Sequence, residues 1–161
     1  VIDGKIVYPN AVIYVNKNES EYWLSEKNYK KEMKEALDPY IKNKQYKVFE
    51  NGTEISEGIK GISLPGHTVG HTGFEVASNN NKIIFWGDLT HGYEIQFPHP
   101  EVTFIYDYDQ NQARETRKMF IKKAAAEKTL IGGSHLPFPG IGHIAENGAG
   151  YRWIPLQYIS E

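Results

Sequence analysis

Two histidines, His67 and His71, stand four residues apart in the segment GISLPGHTVGHTGFEV, residues 61–76. On a helix, this spacing would place both imidazoles on one face, where they could chelate a metal together. Pro65 and Gly66 break any helical register here, and the alternating apolar residues on both sides are typical of strands. The segment therefore predicts a loop between two strands that carries both histidines.

Three polar residues share one position relative to the predicted strands. His67, Asp88 and His135 each directly follow a strand, in a loop rich in glycine. Side chains at strand ends can converge on one site, and a catalytic zinc takes about three protein ligands and leaves a position for water. Each residue alone is more often a hydrogen-bonding loop residue or an Asx turn. Together, the three predict a metal site.

The elements that must position these residues alternate between strands and helices. Before the histidine loop, the pattern predicts a helix that is capped by Asn18 or Ser20 and ends before Pro39. The dipeptide Asn51-Gly52 lies between two apolar runs, which is the strongest short signal for a β-hairpin. The loop is thus expected to follow a hairpin.

After the loop, TGFEVASNNNKIIFWGD predicts two antiparallel strands joined by a turn of asparagines. DQNQARETRKMFIKKAAAEKTLIGGSH predicts a capped helix of about four turns and a short strand that leads to His135. Helical spacing makes four residues candidates for the core: Ala113, Met119, Phe120 and Ala124. No linker or repeat interrupts the chain, so residues 1–161 are expected to form a single domain.

Composition excludes several classes of function. The 161 residues carry a net charge of −2 with a pI near 6.3, which gives no electrostatic footprint for nucleic acid. There is no cysteine, so a metal must be held by nitrogen and oxygen ligands. No apolar run approaches the ~20 residues of a membrane span. The absence of cysteine is compatible with the cytoplasm or with export, so the sequence leaves the localisation unknown.

Several motifs carry a family resemblance. PGHTVGHTGF, FWGDLTH and GGSHLPFPGIGHI resemble the later metal-binding motifs of the metallo-β-lactamase superfamily, in their usual order. GYRWIPLQY and HPEVTFIYDYDQNQARETRKMF resemble the branch that contains methyl parathion hydrolase and related lactonases. The resemblance implies an α/β (α+β) fold, an αββα sandwich of two sheets flanked by helices. It also implies that His67 binds the first metal, that Asp88 bridges both metals as the catalytic carboxylate, and that His135 binds the second. His71 is expected to support the loop by hydrogen bonding.

One family motif is absent from the sequence. The signature HxHxDH should precede these motifs, yet no His-x-His occurs in the 161 residues. We therefore expect the chain to be the C-terminal part of an incomplete sandwich, a truncated fragment with most of the N-terminal half missing. The missing half, or a homodimer mate, is expected to cover the exposed sheet. With two ligands left for each metal, the chain alone is expected to bind zinc weakly or not at all and to be inactive.

For the complete protein, the resemblance implies a metal-dependent hydrolase of ester-like substrates: a lactone, a phosphotriester or another ester. A hydroxide held by two zinc ions would attack the carbonyl or phosphoryl centre. Manganese, iron or cobalt are also compatible with imidazole and carboxylate ligands. The alternative is a non-catalytic half-sandwich that acts as an interaction or assembly module. His91 could line the pocket, but for His91, His99 and His143 the simpler interpretation as ordinary loop residues is favoured.

Overall fold

A computed structural model describes residues 1–2 and 4–157 of the chain. The elements, in chain order, are β1 Ile13–Asn16, α1 Lys17–Trp23, α2 Lys31–Lys42, β2 Tyr46–Phe49, β3 Glu54–Ser56, β4 Ile59–Ser63, β5 Thr72–Ser78, β6 Asn81–Phe85, α3 Tyr93–Gln96, α4 Gln110–Ala126, β7 Leu130–Gly132, β8 Ile141–Asn147 and β9 Gly150–Pro155. The mixed α/β class expected from the sequence is confirmed. Tyr158, which ends the motif GYRWIPLQY, lies outside the described residues.

The described strands form two sheets. β1 and β2 pair in parallel, and β3 to β9 form a seven-stranded sheet in chain order. Within the larger sheet β6 and β7 are parallel and the other neighbours are antiparallel. Helix α4 makes the crossover from β6 to β7, as a parallel pair requires. Because β6 and β7 are parallel, their carboxyl ends meet at one edge of the sheet, where Asp88 and His135 follow.

The main core lies between α4 and one face of the seven-stranded sheet. Ile84, Ile131 and Ile144 come from three neighbouring strands, and Phe120 and Ile121 of α4 pack against them. Trp86, at the end of β6, is fully buried in the same cluster. This core fixes the strand ends that carry the polar residues. Among the described residues, no helix has the length and apolar character needed to cross a membrane.

The helix expected before Pro39 is in fact two helices, so that prediction is wrong in three details. The cap is Asn16, whose side chain accepts a hydrogen bond from the backbone N–H of Asn18 at 2.9 Å. The chain then leaves α1 after Trp23 and restarts at α2, which contains Pro39. Proline is tolerated because the carbonyl it leaves without a partner belongs to Glu35, which is exposed to water.

The hairpin expected at Asn51-Gly52 is also wrong. β2 pairs with β1, whereas the turn carries the chain into the larger sheet, where β3 and β4 form the hairpin. Packing decides this outcome, because the buried ring of Phe49 lies against Gly61. A Cβ at Gly61 would lie 2.6 Å from Cε2 of Phe49. β2 therefore packs onto the larger sheet instead of pairing with β3.

The later elements follow the sequence more closely. β5 and β6 are joined at Asn79 and Asn80, both with positive φ, as the asparagine turn predicts. Helix α4 is capped by Asp109, whose side chain accepts from Gln112 N–H. Ala113, Phe120 and Ala124 are buried as expected. Met119 is 64% exposed, so its assignment to the core is wrong; it lies one position off the stripe that buries Phe120.

Candidate metal centre

The structure brings the three expected side chains together at one edge of the seven-stranded sheet. Nε2 of His67 lies 3.4 Å from Oδ2 of Asp88, and Nε2 of His135 lies 3.7 Å from Oδ1 of Asp88. Each oxygen of the carboxylate thus faces a different imidazole. His67 comes from the β4–β5 loop, and the other two follow the parallel strands β6 and β7. Their assignment as metal ligands remains a prediction, and their proximity is a property of the fold.

The orientation of His67 depends on Asp107, a residue that the sequence did not single out. Oδ1 of Asp107 lies 3.2 Å from Nδ1 of His67, and the Asp107 side chain is only 1% exposed. A carboxylate at this position makes Nδ1 the protonated nitrogen, so Nε2 keeps its lone pair and points towards Asp88. Carboxylates that orient metal-binding imidazoles act in this way.

A buried arginine lies behind this carboxylate. Arg117 on α4 is fully buried, and its Nη2 lies 3.8 Å from Oδ2 of Asp107. Burial lowers the pKa of Arg117 and the charge of Asp107 opposes this shift. The guanidinium nitrogens have no hydrogen-bond partner in the described part of the chain. Phe104 donates its backbone N–H to the same Oδ2 at 3.4 Å. The ion pair therefore compensates two charges that would otherwise be costly to bury.

His71 makes two hydrogen bonds to the loops around Asp88, and its role as a supporting residue of a metal site stays a prediction. Its Nδ1 lies 3.0 Å from the carbonyl oxygen of Leu64 and must donate to it. Its Nε2 accepts the backbone N–H of Asp88 at 3.0 Å. Burial lowers the pKa of His71, which keeps the ring neutral as both bonds require. Gly87, with φ +59°, packs so closely on this ring that a Cβ would lie 2.6 Å from Nε2.

The β4–β5 loop is held from two sides. Glu19 on α1 accepts the backbone N–H of Gly70 at 2.9 Å and the hydroxyl of Thr68. On the other side, the Thr116 hydroxyl of α4 donates to the carbonyl of Pro65 at 2.8 Å. These contacts fix the backbone on both sides of His67, and the contact of Nδ1 with Asp107 orients its ring.

His91 lies inside the cluster, which the sequence interpretation as an ordinary loop residue missed. Its ring centroid is 4.7 Å from that of His67 and 5.4 Å from that of His135. Both ring nitrogens are buried without a hydrogen-bond partner in the described structure. Its backbone N–H donates to the buried Gln96 side chain at 2.7 Å, which fixes its position. The signal available in the sequence was its place three residues after Asp88.

The other two histidines lie outside the cluster, but the placement of His143 in a loop is wrong, because it lies on strand β8. His99 is exposed and pairs with Glu101 at 3.4 Å. Nδ1 of His143, on β8, lies 3.2 Å from the carbonyl oxygen of Thr129.

The donor atoms present fit a divalent metal. One group consists of Asp88, His91 and His135, and another of His67, His91 and Asp107; within each group, the donor atoms lie within 4.8 Å of one another. Imidazole nitrogen and carboxylate oxygen suit zinc and its neighbours in the first transition row. The unpaired nitrogens of His91 are the buried polar atoms that a bound ion would satisfy.

The chain is similar to a known protein family and to several solved structures. The family model described as the metallo-beta-lactamase superfamily matches residues 7–135. No curated protein sequence matches the chain. Among solved structures, a hydrolase named AbOPH in the beta lactamase superfamily is 35% identical with a TM-score of 0.90, and covers 98% of this chain and 59% of its own length.

Two lactone-hydrolysing enzymes are also similar in structure. AidC, a dizinc quorum-quenching lactonase with a product bound, is 31% identical with a TM-score of 0.81, over 98% of this chain and 58% of AidC. An N-acyl homoserine lactone hydrolase with a product at its catalytic metal centre is 26% identical with a TM-score of 0.59, over 77% of this chain and 46% of that enzyme. The chain thus spans less than two thirds of the length of these neighbours.

Proposed function

The chain belongs to the metallo-β-lactamase superfamily, and on this basis we propose that it provides metal ligands to a hydrolase that acts on ester-like substrates. The observation that carries the proposal is the position of Asp88, whose two oxygens face His67 at 3.4 Å and His135 at 3.7 Å. A carboxylate placed between two imidazoles in this way is suited to bridge two ions. In this proposal His67 and His135 each bind one of them, and Asp88 is the catalytic carboxylate that both share.

The residues of this chain would hold the metal and keep its ligands in one arrangement. Asp107 keeps the proton of His67 on Nδ1, so that Nε2 is free to bind. His71 accepts a hydrogen bond from the backbone N–H of Asp88 and thereby fixes the backbone that carries the carboxylate. When bound, a divalent metal at this site would supply Lewis acidity and lower the pKa of a coordinated water to about 7. Zinc is the proposed metal, with manganese, iron and cobalt compatible with the same donors.

Apolar side chains on the segment that leads to Asp107 support a substrate with an apolar substituent. Phe104 packs near His91, with ring centroids 5.6 Å apart, and the two residues that follow it are exposed. Ile105 is 84% exposed and Tyr106 is 72% exposed. Apolar side chains beside a few convergent polar groups are typical of small-molecule sites. A lactone, a phosphotriester or another ester with an apolar group would fit this description.

A partner for the larger sheet forms part of the proposal. Phe74, Phe85, Gly132 and Ile141 are register partners across β5 to β8, and they lie on the face opposite α4. Phe85 is 43% exposed there. Exposed apolar sheet surface of this kind is typical of an interface, so a further polypeptide segment or a second copy of the chain is proposed to cover it. Native mass spectrometry at several concentrations would detect the second copy.

An assay of ester hydrolysis by the full-length protein tests the proposed function. The metal-loaded protein would be assayed against N-acyl homoserine lactones, phosphotriesters and aryl esters, beside the variant Asp88→Asn. We expect the wild type to hydrolyse at least one class of substrate and Asp88→Asn to lose this activity. The control variant Glu101→Gln changes an exposed carboxylate outside the site and should retain the activity. A protein that holds metal but hydrolyses no ester would contradict the hydrolase and favour the assembly module.

A further inference from the structure

We propose that His91 is a metal ligand, and that Asp88, His91 and His135 bind one divalent ion within this chain. The inference rests on the proposed function only in placing a metal at Asp88. It differs in the third donor, because the sequence left each metal two ligands from this chain and did not count His91.

The state of the His91 ring is the first argument. Both of its nitrogens are buried, and neither has a hydrogen-bond partner in the described structure. A buried polar atom left without a partner costs about 1–3 kcal/mol, so native structures contain few of them. A metal bound by one of these nitrogens would remove that cost. The backbone N–H of His91 donates to the side chain of Gln96 at 2.7 Å, which fixes the Cα from which the ring reaches into the cluster.

The choice of partners for His91 follows from burial and charge. The donor atoms of Asp88, His91 and His135 lie within 4.8 Å of one another. Those of His67, His91 and Asp107 are equally close, but the Asp107 side chain is 1% exposed and already neutralised by Arg117. The side chains of Asp88 and His135 are 37% and 46% exposed, which gives an ion a route from solvent.

Three protein donors with one open side form a sufficient metal site. Zinc bound by two imidazoles and a carboxylate keeps a position for water, as in catalytic centres of this composition. With His91 counted, this chain offers that set without a donor from any other segment. We therefore expect about one tightly bound zinc per chain.

The absence of cysteine from the sequence allows a direct test of position 91. In the variant His91→Cys, the only thiolate of the chain would lie where the imidazole was. On addition of Co²⁺, a thiolate-to-cobalt charge-transfer band in the near ultraviolet is expected if this side chain binds the ion. The matched control is His99→Cys, because His99 is exposed and paired with Glu101, and it should give no such band.

Zinc affinity provides the second measurement. His91→Ala should weaken zinc binding, measured by competition with a chromophoric chelator, by at least the 10- to 100-fold that follows loss of a supporting hydrogen bond. His99→Ala should bind as the wild type does. Circular dichroism of each metal-free variant would establish that the fold is retained.

The variant Asp88→Asn separates failure of this inference from failure of the proposed function. If Asp88→Asn binds zinc as tightly as the wild type, the metal position is wrong and both proposals fail. If Asp88→Asn loses zinc while His91→Ala retains it and His91→Cys gives no band, only the role of His91 is overturned. Loss of zinc in both variants, together with the band in His91→Cys, supports the three-ligand site.

Discussion

The imidazole of His67 is held between two carboxylates: Nδ1 lies 3.2 Å from Oδ1 of Asp107, and Nε2 lies 3.4 Å from Oδ2 of Asp88. The two carboxylates differ in their surroundings, since the side chain of Asp107 is 1% exposed and that of Asp88 is 37% exposed. The buried carboxylate orients the ring, and the more open one is available to a ligand. The geometry thus assigns different roles to two residues of the same type.

The first prediction concerns the orienting carboxylate. Asp107→Asn should weaken zinc binding by roughly 10- to 100-fold. A neutral amide accepts a weaker hydrogen bond from Nδ1–H of His67 than a carboxylate does. The weaker hydrogen bond makes Nε2 less basic and therefore a poorer metal ligand. Competition with a chelator would measure the change. Glu101→Gln removes an exposed carboxylate and serves as the control. Unchanged affinity in Asp107→Asn would show that His67 does not need this partner.

The second prediction concerns the stability of the ion pair behind the site. Asp107→Asn leaves the charge of Arg117 buried without a partner and should lower the free energy of unfolding by about 3–5 kcal/mol. The double variant Asp107→Asn with Arg117→Met removes both charges and should recover much of that loss. Urea unfolding of the metal-free chain would measure each value. Strictly additive effects of the two substitutions would mean that the pair is not coupled.

The sequence predicted the part of the site that depends on local pattern. His67, Asp88 and His135 follow strands, and strand ends can be located from alternation and glycine content. Asp107 and Arg117 could not be found in this way. The carboxylate lies in the irregular segment between α3 and α4 and the arginine lies on a helix, where charged residues are usually exposed. Their burial follows from how α4 packs on the sheet, which is a long-range property.

The error in the pairing of β2 has the same long-range origin. The dipeptide Asn51-Gly52 favours a hairpin locally, but packing of Phe49 on Gly61 places β2 in another sheet. Pro39 predicts the end of a helix, yet α2 continues past it because the lost hydrogen bond lies on an exposed turn. Local signals gave the correct element type in each case, whereas a tertiary contact decided how β2 pairs and exposure to water lets α2 continue past Pro39.

The third prediction uses two glycines with almost the same backbone conformation. Gly87 has φ +59° and Gly148 has φ +61°, so alanine is strained at both. At Gly148 a Cβ meets nothing within 4 Å, whereas at Gly87 it would lie 2.6 Å from Nε2 of His71. Gly87→Ala should therefore cost roughly 1–3 kcal/mol more than Gly148→Ala, the typical cost of overpacking. It should also weaken zinc binding, because displacement of His71 frees the backbone of Asp88. Equal stability and equal zinc affinity in the two variants would contradict this role of His71.

The last prediction concerns the pH dependence of stability in the metal-free chain. Burial lowers the pKa of His71 although the hydrogen bond to the carbonyl of Leu64 opposes the shift, whereas the ring in the unfolded chain titrates near 6.5. As the pH falls through about 6.5, the unfolded chain takes up a proton that the folded chain does not, so the free energy of unfolding decreases. The decrease continues until the pH reaches the lower pKa of the folded state. The stabilising contribution of the neutral ring is therefore fully present above about pH 6.5 and is lost on acidification.

Urea unfolding between pH 5 and 7.5 in the presence of a chelator would measure this dependence. One proton contributes at most about 1.4 kcal/mol per pH unit. His71→Asn retains a donor for the carbonyl of Leu64 but cannot titrate, so its stability should vary less with pH than that of the wild type. Burial also lowers the pKa of His91, so part of the pH dependence of stability should remain in His71→Asn. If the free energy of unfolding depends on pH equally in the wild type and in His71→Asn, the fold does not hold His71 neutral. That result would contradict a hydrogen bond from the backbone N–H of Asp88 to Nε2 of His71, because only an unprotonated Nε2 can accept it.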